Sequence, residues 1–190
     1  IEDWRNKWNN PTLPFLFVQL ANFNPRLSTP AQSGWAELRE QQASALSLPN
    51  TGMAVAIDVG EWNDIHPLDK ESVGERLAKN ALHKVYGKDI VYSGPMATKV
   101  TLKGSHVWIN FKYQGGGLFT SGTNLTGFEI ADESGVFHWA KAEIKGERVQ
   151  VWHPDVKHPS AVRYAWADNP AANLYNKDGL PAAPFRFNLD

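Results

Sequence analysis

A chain of 190 residues with a formal net charge of −1 is long enough for one large domain or two small ones. It contains no Cys, which excludes disulfides and thiolate-held metals, and its neutral balance shows no Lys/Arg cluster to mark a nucleic-acid or anionic-membrane partner. No apolar stretch reaches the roughly 18 residues that would span a bilayer. Eight Trp are many for this length; Trp serves core burial and sugar stacking alike, so the count hints at carbohydrate without deciding it.

Residues 1–14, with Asn9-Asn10-Pro11 and Pro14, read as an irregular approach. Residues 15–23 form the first strand, apolar except for Gln19 and Asn22, and the Pro-containing stretch 24–33 is a long loop at its carboxyl end. Residues 34–46 predict a helix with Ser33 as N-cap and with Trp35, Leu38, Gln42 and Ala45 facing the sheet. A second strand, 51–58, carries the run Met53-Ala54-Val55-Ala56-Ile57, apolar on both faces as in a parallel sheet. Strand, helix and strand in this order make a parallel crossover unit.

The loop that follows holds Asn63-Asp64-Ile65-His66-Pro67. A His just past the carboxyl end of a central strand stands where open α/β sheets place their chemistry. Asp64, two residues earlier, is close enough to shape the hydrogen bonding of His66. The plainer reading is a loop His that tethers the next helix. A third, a metal cluster of Asp58, Glu61, Asp64 and His66, is weaker because hard-metal sites usually draw ligands from several segments. Residues 69–86 predict a helix capped by Asp69 and stopped by Gly87, with Val73, Leu77, Ala81, Leu82 and Val85 at helical spacing.

Past Gly87 the pattern changes to short strands and Gly turns. Residues 90–92, 100–102, 106–113, 127–131, 142–144, 148–152 and 161–166 read as strands, which together predict an antiparallel β-sandwich. Val107, Ile109 and Phe111 alternate with Trp108, Asn110 and Lys112, so one face of that strand is buried. Gly115-Gly116-Gly117 lacks the following Lys-Ser/Thr of a phosphate loop. His106, His138, His153 and His158 show no ligand spacing and read as surface or structural residues. The tail from 167 has no periodicity, although Leu174, Tyr175, Leu180, Phe185 and Phe187 would pin it down. The division falls near residue 90, giving regions 1–89 and 90–190.

Asp3-Trp4-Arg5, Phe17-Val18-Gln19-Leu20-Ala21, Trp35-Ala36-Glu37-Leu38-Arg39, Asn50-Thr51-Gly52-Met53-Ala54-Val55 and Asp64-Ile65-His66-Pro67 recur in order along the chain. With Tyr164-Ala165-Trp166, Asn173-Leu174-Tyr175-Asn176 and Pro184-Phe185-Arg186, this series resembles the sialate O-acetylesterase family of SGNH hydrolases. The resemblance implies the carboxyl-terminal part of an SGNH (flavodoxin-like) three-layer α/β/α domain over 1–89, then a small antiparallel β-sandwich with an irregular tail over 90–190. It implies serine-type removal of O-acetyl groups from sialic acids or cell-wall glycans such as xylan, with no cofactor and no metal. His66 matches the family's general base. The supporting acid usually stands three residues before the His; that position is Asn63 here, and Asp64 is displaced by one. Either Asp64 or a backbone carbonyl would then orient the imidazole.

The chain has no Gly-Asp-Ser block and no Gly-x-Ser-x-Gly elbow. The resemblance places the nucleophile before Ile1, so the expected partner is an amino-terminal half bearing the Ser, as a second chain or a further segment. Without it the chain would be inactive. An acetylated glycan substrate suits a secreted, periplasmic or lysosomal-type compartment. The alternative is a non-catalytic carbohydrate-binding or scaffolding module in which Trp108, Trp139 or Trp152 stacks on sugars.

Overall fold

Two short parallel strands and three helices begin the chain in the computed structural model, which describes residues 1–189. They are α1 (Glu2–Lys7), β1 (Phe15–Val18), α2 (Gly34–Ser44, prolonged by a 3₁₀ turn at Ala45–Ser47), β2 (Thr51–Ala54) and α3 (Lys70–Lys84). β1 and β2 pair in parallel, Phe15 opposite Thr51 through Val18 opposite Ala54, with α2 as the crossover. Every residue of β2 is buried, whereas those of β1 are half-buried. Gly52 permits this packing, since a Cβ there would lie 2.7 Å from Asn80 Oδ1 and 2.8 Å from the Leu16 side chain.

Three differences from the sequence reading share one cause. Residues 2–7 are helical instead of irregular, α2 buries Ala36 and Arg39 while Leu38 is exposed, and α3 buries Arg76 and Asn80 while Leu82 and Val85 are exposed. In each case a polar side chain turns inward to serve backbone carbonyls that would otherwise be buried without donors. Arg5 donates to Leu13 O (3.0 Å) and Pro49 O (2.8 Å), closing the chain around the start of β1. Arg39 donates to the carbonyls of Leu20, Ala21, Ala167 and Asp168 at 2.7–2.9 Å. Asn80 donates to Tyr92 O (3.2 Å) and Met53 O (3.4 Å).

The second half follows its alternation closely. Its strands are β3 (Met96–Lys103), β4 (His106–Lys112), β5 (Leu118–Thr120), β6 (Phe128–Ala131), β7 (Phe137–Trp139), β8 (Lys141–Lys145), β9 (Arg148–Trp152), β10 (Ala161–Tyr164), β11 (Leu174–Asn176) and β12 (Phe185–Asn188). They form two four-stranded antiparallel sheets, β3-β4-β9-β8 and β12-β10-β6-β7, and a separate β11-β5 pair. Val107, Ile109 and Phe111 of β4, Val149 and Val151 of β9, and Phe128, Ile130, Val162 and Tyr164 of the other sheet belong to one apolar core. Phe111 and Phe185 meet edge to face across it, ring centroids 6.0 Å apart. Met53, Val55 and Ile57 join the same core, so packing runs across residue 90.

No strand forms at 90–92, and the tail expected to be irregular supplies β11 and β12. β12 pairs with β10, and β11 with β5, more than fifty residues earlier. Three- and four-residue strands are too short to show a period, and such pairing stabilises them without one.

Candidate active site

Beyond Ala54 the chain crosses the carboxyl end of β2 and runs through residues 55–69 before α3 begins at its Asp69 cap, whose side chain accepts from Ser72 N at 2.9 Å. Both stems of this loop are tied together. The Asp58 carboxylate accepts two bonds from the Arg76 guanidinium, at 2.6 and 2.9 Å, and Arg76 also donates to Val55 O at 2.7 Å. The Tyr175 hydroxyl donates to Asp58 from β11 at 3.2 Å. Burial, then the Asp58 charge, pushes that hydroxyl up to about 12, so it remains a donor at neutral pH.

Within the loop, Asp64 Oδ1 accepts from the backbone N–H of His66 at 2.8 Å and lies 3.2 Å from His66 Nδ1. The backbone bond, foremost, holds the Asp64 carboxyl below its ordinary range, which keeps it anionic. An anion beside Nδ1 favours the tautomer with Nδ1 protonated, leaving Nε2 as the basic nitrogen. Nε2 has no hydrogen-bond partner among the described residues, and the His66 side chain is 83% exposed. Asn63 is exposed and makes no bond to His66 among the described residues. The structure therefore brings together two of the sequence-derived site residues, Asp64 and His66, and sets Asn63 aside. Of the four residues of the metal-cluster alternative, Asp58 is engaged by Arg76, and among the described residues no three His, Asp or Glu side chains gather as ligands.

A second set of residues supports this loop from the other strand. Asn22, just past β1, accepts from Gly60 N (2.7 Å), donates to Gly60 O (3.3 Å) and donates to Asn169 Oδ1 (3.0 Å). A Cβ at residue 60 would lie 2.1 Å from Asn22 O, so this approach requires Gly. Asn169 in turn donates to Asn24 O at 2.8 Å, and Asn24 N donates to Trp62 O at 3.0 Å. Asp168 accepts from Asn24 Nδ2 (3.0 Å) and from Ser33 Oγ (2.6 Å), while Ser33 caps α2 at Ala36 N (2.9 Å). The result is an open cleft of about 650 Å³ with mixed walls, lined by Asn22, Pro25, Arg26, Gly60, Glu61, Trp62, Asn63 and Asn169. His66 lies outside its lining.

Sequence reasoning missed Asn22, Asn169 and Asp168 as parts of the site. Asn22 gave a signal as a polar interruption of an apolar strand, but Asp168-Asn169 reads only as a turn in the tail. The remaining histidines stand apart: His106 packs on Trp152 (5.6 Å between centroids), and His138 stacks on His153 (4.9 Å).

No family profile matches the chain. It is 32% identical over 213 residues to the sialate O-acetylesterase of Mus musculus, which covers 97% of this chain and 39% of that protein. The Homo sapiens sialate O-acetylesterase is 30% identical over 213 residues, covering 97% of this chain and 40% of its own length. The crystal structure of a carbohydrate acetylesterase from Xanthomonas citri superposes with a TM-score of 0.93 at 45% identity, covering 100% of this chain and 44% of that one. The mixed α/β architecture with many antiparallel strands is thus shared with an esterase structure. The chain spans about two-fifths of the length of the relatives it matches.

Proposed function

Because this chain belongs to the sialate O-acetylesterase family, we propose that it is the carboxyl-terminal part of a serine-type carbohydrate O-acetylesterase acting on sialic acid or a cell-wall glycan such as xylan. In this reading residues 1–89 complete an SGNH α/β/α domain and residues 90–190 form its β-sandwich. The Ser nucleophile comes from an amino-terminal half, either a second chain or a further segment. Two features support that division of labour. A two-stranded parallel sheet is marginal by itself, because parallel sheets are normally covered on both faces and continued by neighbours. The half-buried β1 and the exposed Trp4 and Trp8 leave room for such neighbours. A compartment outside the cytosol follows from the substrate.

The chemistry proposed for His66 follows from its pairing. Nε2 accepts the proton of the Ser hydroxyl as the oxygen attacks the acetyl carbonyl carbon, and Asp64 stabilises the imidazolium that forms. Collapse of the tetrahedral intermediate breaks the ester bond to the sugar, whose oxygen takes the proton back from Nε2. Water then attacks the acetyl-Ser, His66 again accepting and returning one proton, and acetate leaves.

The observation that carries this reading is the Asp64–His66 contact in the loop past the carboxyl end of β2. In the full-length protein, His66→Ala is expected to lower kcat/KM for p-nitrophenyl acetate by roughly 10²–10⁴ with an unchanged circular dichroism spectrum. Wild-type rates in that variant would reject His66 as the base. A folded but inert wild type would leave the carbohydrate-binding module as the better account.

A further inference from the structure

Of the three tryptophans expected to stack on sugars, two already have another side chain packed on the ring, although Trp152 still borders a separate open hollow. Arg148 lies over the Trp108 ring at 4.6 Å and Lys103 at 5.8 Å, while Trp152 packs against His106. Trp139 differs. It closes β7 with its indole N–H donating to Ser28 O at 2.9 Å, which fixes the ring, and it remains 37% exposed. It lines a pocket of about 300 Å³ together with Leu27, Leu125, Phe128 and Trp166. This volume is at the lower end of the ~300–1,000 Å³ found for small-ligand sites.

The pocket is largely preformed, because the loop at its mouth is held from three directions. Arg163 donates to Ala31 O at 2.9 Å, Trp139 holds Ser28, and Ser33 donates to Asp168. One polar group in its wall is unspent: the Arg26 guanidinium makes no hydrogen bond or ion pair among the described residues. Arg26 and Asn169 line both this pocket and the cleft beside the His66 loop, so the two hollows adjoin.

Resting on the esterase reading, we propose that this pocket is a subsite for a second sugar ring of the substrate, so that the enzyme reads an oligosaccharide and not a lone acetylated sugar. A pyranose has an apolar C–H face that packs on an indole and a rim of hydroxyl oxygens that accept hydrogen bonds. The pocket offers the matching parts: a fixed Trp face, aliphatic and aromatic walls, and an Arg with five donors at the side facing the cleft. An aromatic pocket adjoining the cleft beside the His66 loop would orient the sugar chain along that side of the molecule.

The test uses the full-length protein, with O-acetylated xylo-oligosaccharides and p-nitrophenyl acetate as paired substrates. Trp139→Ala should lower the ratio of kcat/KM for the oligosaccharide to that for p-nitrophenyl acetate roughly five- to tenfold, chiefly through KM, and Trp139→Phe should restore most of it. An unchanged ratio overturns the subsite. Calorimetric titration with xylohexaose and with 3′-sialyllactose needs no turnover: weaker binding by Trp139→Ala of whichever probe the wild type binds supports the subsite, and binding of neither overturns it. A protein inert towards esters that still binds one probe in a Trp139-dependent way removes the esterase reading and keeps the subsite.

Discussion

The two halves of the chain solve the burial problem in opposite ways. In the β half, apolar side chains point inward at every second residue, and β4 and β9 are buried through Val107, Ile109, Val149 and Val151. In the α/β half the helices turn Arg39, Arg76 and Asn80 inward and leave Leu38, Leu82 and Val85 in solvent. A sheet with a dry face is stabilised by transfer of area from water. A loop-rich junction at strand ends exposes carbonyls instead, and long polar side chains satisfy those carbonyls better than any apolar residue can. The second solution is specific, because each donor serves particular atoms, and brittle for the same reason.

Arg39 is where that brittleness should be largest. Its guanidinium is fully buried and joins the end of β1 to the Ala167-Asp168 segment through four carbonyls. Burial lowers it to about 10, opposed by Asp168, so it is charged at neutral pH. Arg39→Met fills much of the volume but strands Leu20 O and Ala167 O, while Ala21 O keeps Trp35 and Asp168 O keeps Phe23 N. With the lost buried charge contacts it should cost about 3–5 kcal/mol in urea unfolding at pH 7. Since Asp168 and Asn169 also hold Asn22 and Asn24, the loss should extend to the cleft beside His66. A change below about 1 kcal/mol would show that the junction is not what joins the halves.

Legibility in the sequence follows the same division. The alternation in β4 and the limits of β9 were readable because each strand repeats its period for five residues or more. So were the Ser33 and Asp69 caps, which are local signals. The inner faces of α2 and α3 were readable only in part. Trp35 and Gln42 do face β1, bonding Ala21 O and Leu20 N, but the buried Arg39, Arg76 and Asn80 lie outside any apolar stripe, which marks a buried face only when burial is apolar. The Asp64–His66 contact was visible at a spacing of two residues, whereas the engagement of Asp58 by Arg76 and Tyr175 spans 18 and 117 residues and leaves no local trace.

A middle-sized effect would sharpen the contrast from the β side, which has its own charged exception. Glu129 and Arg163 are buried side by side on β6 and β10, with Arg163 Nε 2.5 Å from Glu129 Oε2 and Glu129 Oε1 without a partner among the described residues. Burial pushes the Glu129 carboxyl from its ordinary 4.5 up to about 7, and the attraction of Arg163 only partly opposes this. Between those values the folded state binds more protons than the unfolded one. The contribution of this group to stability therefore falls as pH rises from about 4.5 to about 7, by on the order of 3 kcal/mol, and is flat outside that window. Urea midpoints measured across it should show the slope in the wild type and lose it in Glu129→Gln. The same slope in both proteins would mean that Arg163 holds Glu129 ionised throughout.

The smallest effect concerns what the α/β half leaves uncovered. Trp4 and Trp8 are more than half exposed, with ring centroids 5.6 Å apart, and Trp4 lies 5.7 Å from Phe15 at the start of β1. An aromatic pair beside a half-buried strand gains little from water in the 190-residue chain, so Trp8→Ser should change its stability by less than about 0.5 kcal/mol. If the amino-terminal half extends the parallel sheet past β1 and packs on this pair, the same substitution in the full-length protein removes a buried indole and should cost about 2 kcal/mol. The quantity to measure is the difference between the two urea midpoints. A difference near zero would place the continuation of the sheet away from these rings, leaving the polar junction at Arg39, and not apolar docking, as the feature that orients β1.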